Sequence, residues 1–205
     1  MKTGERATDL RRGLRLAYLS VAWNVGEAVV GIAAGAIAGS VALIGFGLDS
    51  VVEASSASII IWRLTSERRG RHADTLERPA IRAVAVAFWA LAAYVTYRAI
   101  VDLATQAHPE ESLAGIILAS VSLIGMPLLA RAKRRSSKAL GSHAMHADSK
   151  QTVLCTYLSA ALLIGLGANA LFGWWWADPA AALVIAALAA REGYQLWVTE
   201  DPDCC

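Results

Sequence analysis

Val41-Ala-Leu-Ile-Gly-Phe-Gly-Leu-Asp49-Ser-Val-Val-Glu53-Ala-Ser-Ser-Ala-Ser-Ile-Ile-Ile-Trp-Arg-Leu64 is an apolar stretch with two carboxylates near its centre. Its length suits one helical crossing of a bilayer, which needs roughly 20 residues. Asp49 and Glu53 are four residues apart, about one helical turn, so both acids project from the same face. They lie roughly 12 and 18 Å into an apolar layer about 30 Å thick. An isolated charge at that depth costs several kcal/mol. Two readings fit: a pair of protonated acids hydrogen-bonded to neighbouring helices, or a carboxylate pair arranged to hold a cation.

Working outward, hydrophobic residues make up 56% of the 205-residue chain, more than the roughly 45–50% usual in soluble domains. Six apolar blocks stand out, at about 14–38, 41–64, 80–106, 112–131, 145–172 and 178–199. The pattern predicts an all-α, polytopic membrane protein: a six-transmembrane-helix bundle forming one domain over residues 1–205, with no soluble C-terminal domain. Lys and Arg set its orientation. Five lie before or at the start of the first block (Lys2, Arg6, Arg11, Arg12, Arg15). Six flank the junction of blocks two and three (Arg63, Arg68, Arg69, Arg71, Arg78, Arg82), and six that of four and five (Arg131, Lys133, Arg134, Arg135, Lys138, Lys150). The alternate junctions, Gly39-Ser40, Gln106 to Glu111 and Gly173 to Asp178, have none. The positive-inside rule then places both termini in the cytoplasm. Basic clusters flanking spans are expected in such a protein, so they give no sign of a nucleic-acid partner.

Smaller features agree with that topology. Gly39-Ser40 makes a tight hairpin of the first two helices, and Trp174-Trp175-Trp176 marks an outer aromatic belt. Pro179 suits the first turn of helix six, while Pro127 predicts a kink in helix four. Gly26, Gly31, Gly35 and Gly39 permit close helix contact. The three cysteines offer no disulfide framework: Cys155 falls within a span, and Cys204 and Cys205 lie in a reducing cytoplasmic tail.

Helix five supplies the facing chemistry. Asp148, Gln151 and Cys155 recur at i, i+3 and i+7, on one stripe. Cys155 reaches a depth of roughly 15 Å from the inner side, where it can meet Asp49 and Glu53. Two carboxylates, a carbamoyl oxygen and a thiol suit a divalent transition metal, and the thiolate favours soft and borderline ions. The alternatives are that Cys155 is a small core residue, and that Asp148 sits near the inner mouth, paired with Lys150 or a neighbouring Arg. Glu27, with Asn24 one turn earlier, is a further buried acid in helix one. It is an accessory ligand, a proton carrier, a supporting partner of the ligands or a structural hydrogen-bonding group. Asp178 suits the N-terminus of its own helix. His72, His108, His143 and His146 lie at or near loops as solvated histidines, or, for the last two, as guides for metal at the inner mouth. No nucleophile–base pair marks an enzyme, and no cofactor is expected.

Two acids on helix two facing a polar stripe on helix five resemble the cation diffusion facilitator family. That family carries Asp or His, three residues, then Asp on helix two, where this chain has Asp49-Ser-Val-Val-Glu53. Its helix five carries His, three residues, Asp, after Ala-Asn or Ala-Asp; aligned on Ala147-Asp148, Gln151 and Cys155 take those positions. Ala177-Asp178-Pro179-Ala-Ala-Ala-Leu-Val184 resembles the family's start of helix six. The resemblance implies a multi-pass protein of the plasma (inner) membrane that exports a divalent cation by alternating access in antiport with protons. Zn2+ is the expected substrate, with Cd2+, Co2+, Ni2+, Mn2+ and Fe2+ behind it. It also implies a homodimer, here without the family's usual cytoplasmic dimerising domain. The missing site histidine leaves Asp49, Glu53, Asp148 or Cys155 to carry any protons. The altered helix-five ligands leave two further readings open, a membrane metal-binding or partner-regulating protein that does not transport, and a small-molecule exporter with a buried acidic pair.

Overall fold

The computed structural model describes residues 3–68 and 74–199. They form six α-helices: α1 Thr3–Ala38, α2 Val41–Arg68, α3 Asp74–Thr105, α4 Leu113–Leu140, α5 His143–Phe172 and α6 Ala177–Thr199. No strand occurs among the described residues. Five of the helices contain segments long and apolar enough to cross a membrane. The sixth, α6, has 23 residues, about 35 Å of helix, with Arg191, Glu192 and Gln195 lowering the hydropathy of its last turns. Large side chains such as Ile37, Ile164 and Leu171 lie exposed on the outside of the bundle. That surface suits lipid rather than water, and the chain is an integral multi-pass membrane protein.

Several helices outrun the apolar blocks. α1 begins at Thr3 rather than near residue 14, and α4 continues past Arg131 to Leu140. The added residues are charged yet mostly good helix formers. They also bury a stripe: Leu10, Leu14 and Ala17 of α1 pack with Ile60 and Leu64 of α2, Leu140 of α4 and Met145 of α5. This small core closes the basic end of the bundle. α4 stops at Gly141, whose φ of 63° few other residues adopt. Ser142 then caps α5, its hydroxyl accepting from the Met145 amide at 3.3 Å. α4 runs continuously through Pro127.

The main core is built from Leu43 and Phe46 (α2), Phe88 (α3), Met126 (α4), Leu158 and Leu162 (α5) and Ile185 (α6). α2 lies at its centre, touching α1, α3, α5 and α6. The α1–α2 hairpin turns at Gly39, with φ 68°, and is closely seated. A Cβ on Gly35 would stand 2.8 Å from the backbone nitrogen of Ile44, and one on Gly47 2.8 Å from that of Ile32. At the opposite end from the basic segments, Trp174 and Trp176 stack with ring centroids 5.4 Å apart.

Candidate metal centre

α2 enters the bundle at Val41 and carries Asp49 and Glu53 inward, about one turn apart, with only 3% and 2% of their surfaces exposed. α5 crosses beside it and presents Cys155, also buried. One ligand atom from each of these three residues lies within 4.8 Å of the other two. Zinc bonds of about 2.0–2.3 Å place donors roughly 3.3–3.8 Å apart in a tetrahedron. Small side-chain movements therefore suffice to close the group on an ion.

The remaining donors of Glu53 divide cleanly. Its Oε1 accepts from the Thr152 hydroxyl at 2.7 Å, while Oε2 makes no hydrogen bond. Asn24 of α1 is buried, and neither its amide nitrogen nor its amide oxygen has a hydrogen-bond partner. Gln151 is buried and its Oε1 has no hydrogen-bond partner. A buried carboxylate oxygen and a buried amide oxygen without hydrogen bonds are open to a cation. The donor set of carboxylates, thiol and amide oxygen fits a divalent transition metal.

Asp148 stands outside the three-residue group. Its partner is neither Lys150 nor an arginine but Lys133, whose Nζ lies 2.9 Å from Asp148 Oδ2. Lys133 is fully buried. It donates to Thr152 Oγ1 at 2.8 Å and lies 3.7 Å from Glu53 Oε1. By sequence this lysine belongs to a basic junction between spans. The helix runs on instead and turns Lys133 into the bundle. The signal was present in the spacing: Ala119, Ser122, Met126, Ala130, Lys133 and Ser137 recur at threes and fours and are buried.

Glu27 forms a separate hub. It accepts from Trp23 Nε1 at 2.6 Å, from Ser50 Oγ at 3.1 Å and from the Ser122 hydroxyl. One carboxylate thus joins α1, α2 and α4. Asp178 serves a helix other than its own. Its Oδ2 accepts from the Val41 and Ala42 amides at 3.0 and 3.3 Å, and the Ser40 hydroxyl donates to Oδ1. It therefore caps α2, where the helix dipole favours an anion.

His108 packs its ring against Trp175, with centroids 5.6 Å apart. His146 lines a cavity of about 500 Å³ with Arg131, Arg134 and Lys150, cationic company that does not suit the guidance of a metal ion. His72, Cys204 and Cys205 lie outside the described residues, as does the side chain of His143.

Residues 17–200 match the family described as the cation efflux transmembrane domain. Over 87 residues the chain is 29% identical to the cation-efflux pump FieF of Shewanella oneidensis. That segment covers 42% of this chain and 29% of the pump's own length.

Proposed function

Since the chain belongs to the cation efflux transmembrane domain family, we propose that it exports a divalent transition-metal ion, zinc foremost, across the plasma membrane. The observation that carries this reading is the buried trio Asp49, Glu53 and Cys155, with ligand atoms within 4.8 Å of one another. The name of the Shewanella relative, a cation-efflux pump, supports the direction.

The ion enters between α2 and α5 and takes Asp49, Glu53 Oε2 and the Cys155 thiolate, with Gln151 as the fourth donor. Two carboxylates and a thiolate neutralise a divalent cation in a layer where bare charge is costly. Binding requires those groups to give up protons, so metal and protons compete for one site. That competition is the basis of antiport. The helices rock about the site to expose it to either side in turn, and the basic end of the bundle faces the cytoplasm. The protein acts as a homodimer through its helices or basic segments, and it is a carrier rather than an enzyme.

The test is flux of Zn2+, Cd2+, Co2+, Ni2+, Mn2+ and Fe2+ in sealed proteoliposomes, for wild type and Asp49→Ala. Wild-type protein should transport zinc, and the variant should fold, insert and carry none. Zinc binding without flux would establish the non-transporting reading instead. Transport by Asp49→Ala at the wild-type rate would remove the central site from the mechanism.

A further inference from the structure

We infer that Lys133 is the site's built-in counter-cation, a residue that shares Glu53 with the transported ion and thereby sets both affinity and turnover. This inference rests on the transport reading above and deepens it.

The geometry gives the lysine more than one task. Its ammonium donates a hydrogen bond to Thr152 Oγ1 at 2.8 Å and makes ion-pair contacts with two carboxylates, Asp148 Oδ2 at 2.9 Å and Glu53 Oε1 at 3.7 Å. A lysine serving Asp148 alone would form a two-body pair. Here it is wedged between two carboxylates of different helices, α2 and α5, and it comes from a third, α4. Thr152 relays the contact, accepting from Lys133 and donating to Glu53 Oε1 at 2.7 Å. The two oxygens of Glu53 are thus divided. Oε1 faces the ammonium and the hydroxyl, and Oε2, without a hydrogen bond, is left for the cargo.

Two consequences follow from the sharing. When the site is empty, the single charge of Lys133 is shared between Asp148 and Glu53, so it lowers, without cancelling, the cost of holding carboxylates in a low-dielectric interior. When a divalent ion is bound, ammonium and metal stand on opposite oxygens of one carboxylate and repel each other. The lysine therefore weakens binding and promotes release. A carrier gains from that arrangement, because tight holding of cargo slows its cycle. Asp148 anchors the ammonium, and its own charge acts on Glu53 in the opposite sense and more weakly than that of Lys133.

The experiment uses the full chain with two probes, Zn2+ and Cd2+. Binding is measured by calorimetry in detergent, and zinc flux in proteoliposomes. Lys133→Met alone strands Asp148 and risks misfolding. The informative variant is Lys133→Met/Asp148→Asn, which replaces the anchoring pair with neutral groups of similar volume, a change that buried pairs often tolerate. Expected for the double variant are tenfold or tighter binding of both ions, a matching fall in half-saturating zinc, and a tenfold or larger fall in maximal flux. Lys133→Arg, which keeps the charge, should bind both ions with near wild-type affinity. A double variant with unchanged affinity and unchanged maximal flux would show that the pair only fills space, and would overturn the inference. Weakened binding would overturn it too, since Lys133 would then be presenting Glu53 to the ion rather than opposing it. Wild-type protein that binds neither ion overturns the transport reading and this inference together, whereas wild-type binding with an unaltered double variant overturns the inference alone.

Discussion

Replacing Glu27 separates a structural acid from a transporting one. In Glu27→Gln the amide oxygen can take the place of Oε1 and keep the bonds from Trp23 and Ser122. The amide NH2 then takes the place of Oε2 and donates to Ser50 Oγ. That hydroxyl has another acceptor ready, the Phe46 carbonyl at 3.2 Å. Trp23, Ser50 and Ser122 all keep a partner, and what is lost is the extra strength of a charged acceptor, about 1 kcal/mol per bond. The relief of no longer burying a carboxylate offsets it. Glu27→Ala is different: the Trp23 indole N–H, which can only donate, loses its acceptor, and a cavity opens. The lost acceptor costs about 1–3 kcal/mol and the cavity adds to it, giving about 3–5 kcal/mol in all. At roughly 2–4 °C per kcal/mol for a chain of this size, the midpoint should fall by about 6–20 °C. Thermal unfolding in detergent measures this, alongside zinc flux. Glu27→Gln should keep both midpoint and flux near wild type. Loss of flux at an unchanged midpoint would refute the reasoning and place Glu27 in the transport chemistry, and an unchanged midpoint in Glu27→Ala would refute the hub.

Three further outcomes are expected. Cys155→Ser should weaken cadmium binding more than manganese binding, because the thiolate is the soft donor; competition calorimetry checks it, and equal loss for every ion would make Cys155 a packing residue. Zinc affinity should fall as pH is lowered, since protons compete for Asp49, Glu53 and Cys155. Binding enthalpies that do not vary with the ionisation enthalpy of the buffer would exclude proton release and with it antiport. Gly47→Ala should destabilise the α1–α2 hairpin by about 1–3 kcal/mol, because the new Cβ would meet the Ile32 nitrogen at 2.8 Å; a midpoint equal to wild type would show that the seam is slack.

The helices and their order were legible because apolar length and charge asymmetry are carried by contiguous residues. The ends of α1 and α4 were not, because reading stopped where charge began, although Leu10 and Leu14 continue the buried stripe there. The same stop hid Lys133, since a lysine among arginines reads as part of a solvated run until the helix is extended through it. That Asp49, Glu53 and Cys155 come together was legible because helical spacing and depth can be reckoned along one chain. The pairing of Asp148 with Lys133, and of Asp178 with the start of α2, could not be. Each joins residues on different helices, and local spacing says nothing about which neighbour a side chain will meet.

Asp178 also bears on the order in which the protein is made. α2 starts with a cap of its own, the Ser40 hydroxyl accepting from the Leu43 amide at 3.0 Å. The Val41 and Ala42 amides wait for a carboxylate 137 and 136 residues further along the chain. At ribosomal speed the α1–α2 hairpin is thus synthesised and inserted well before α6, the last of the described helices, exists to complete it. Until then two backbone N–H groups at that tip must be served by water or lipid headgroups. When α6 is in place, Asp178 takes over those two amides and ties the first-made hairpin to the last of the described helices.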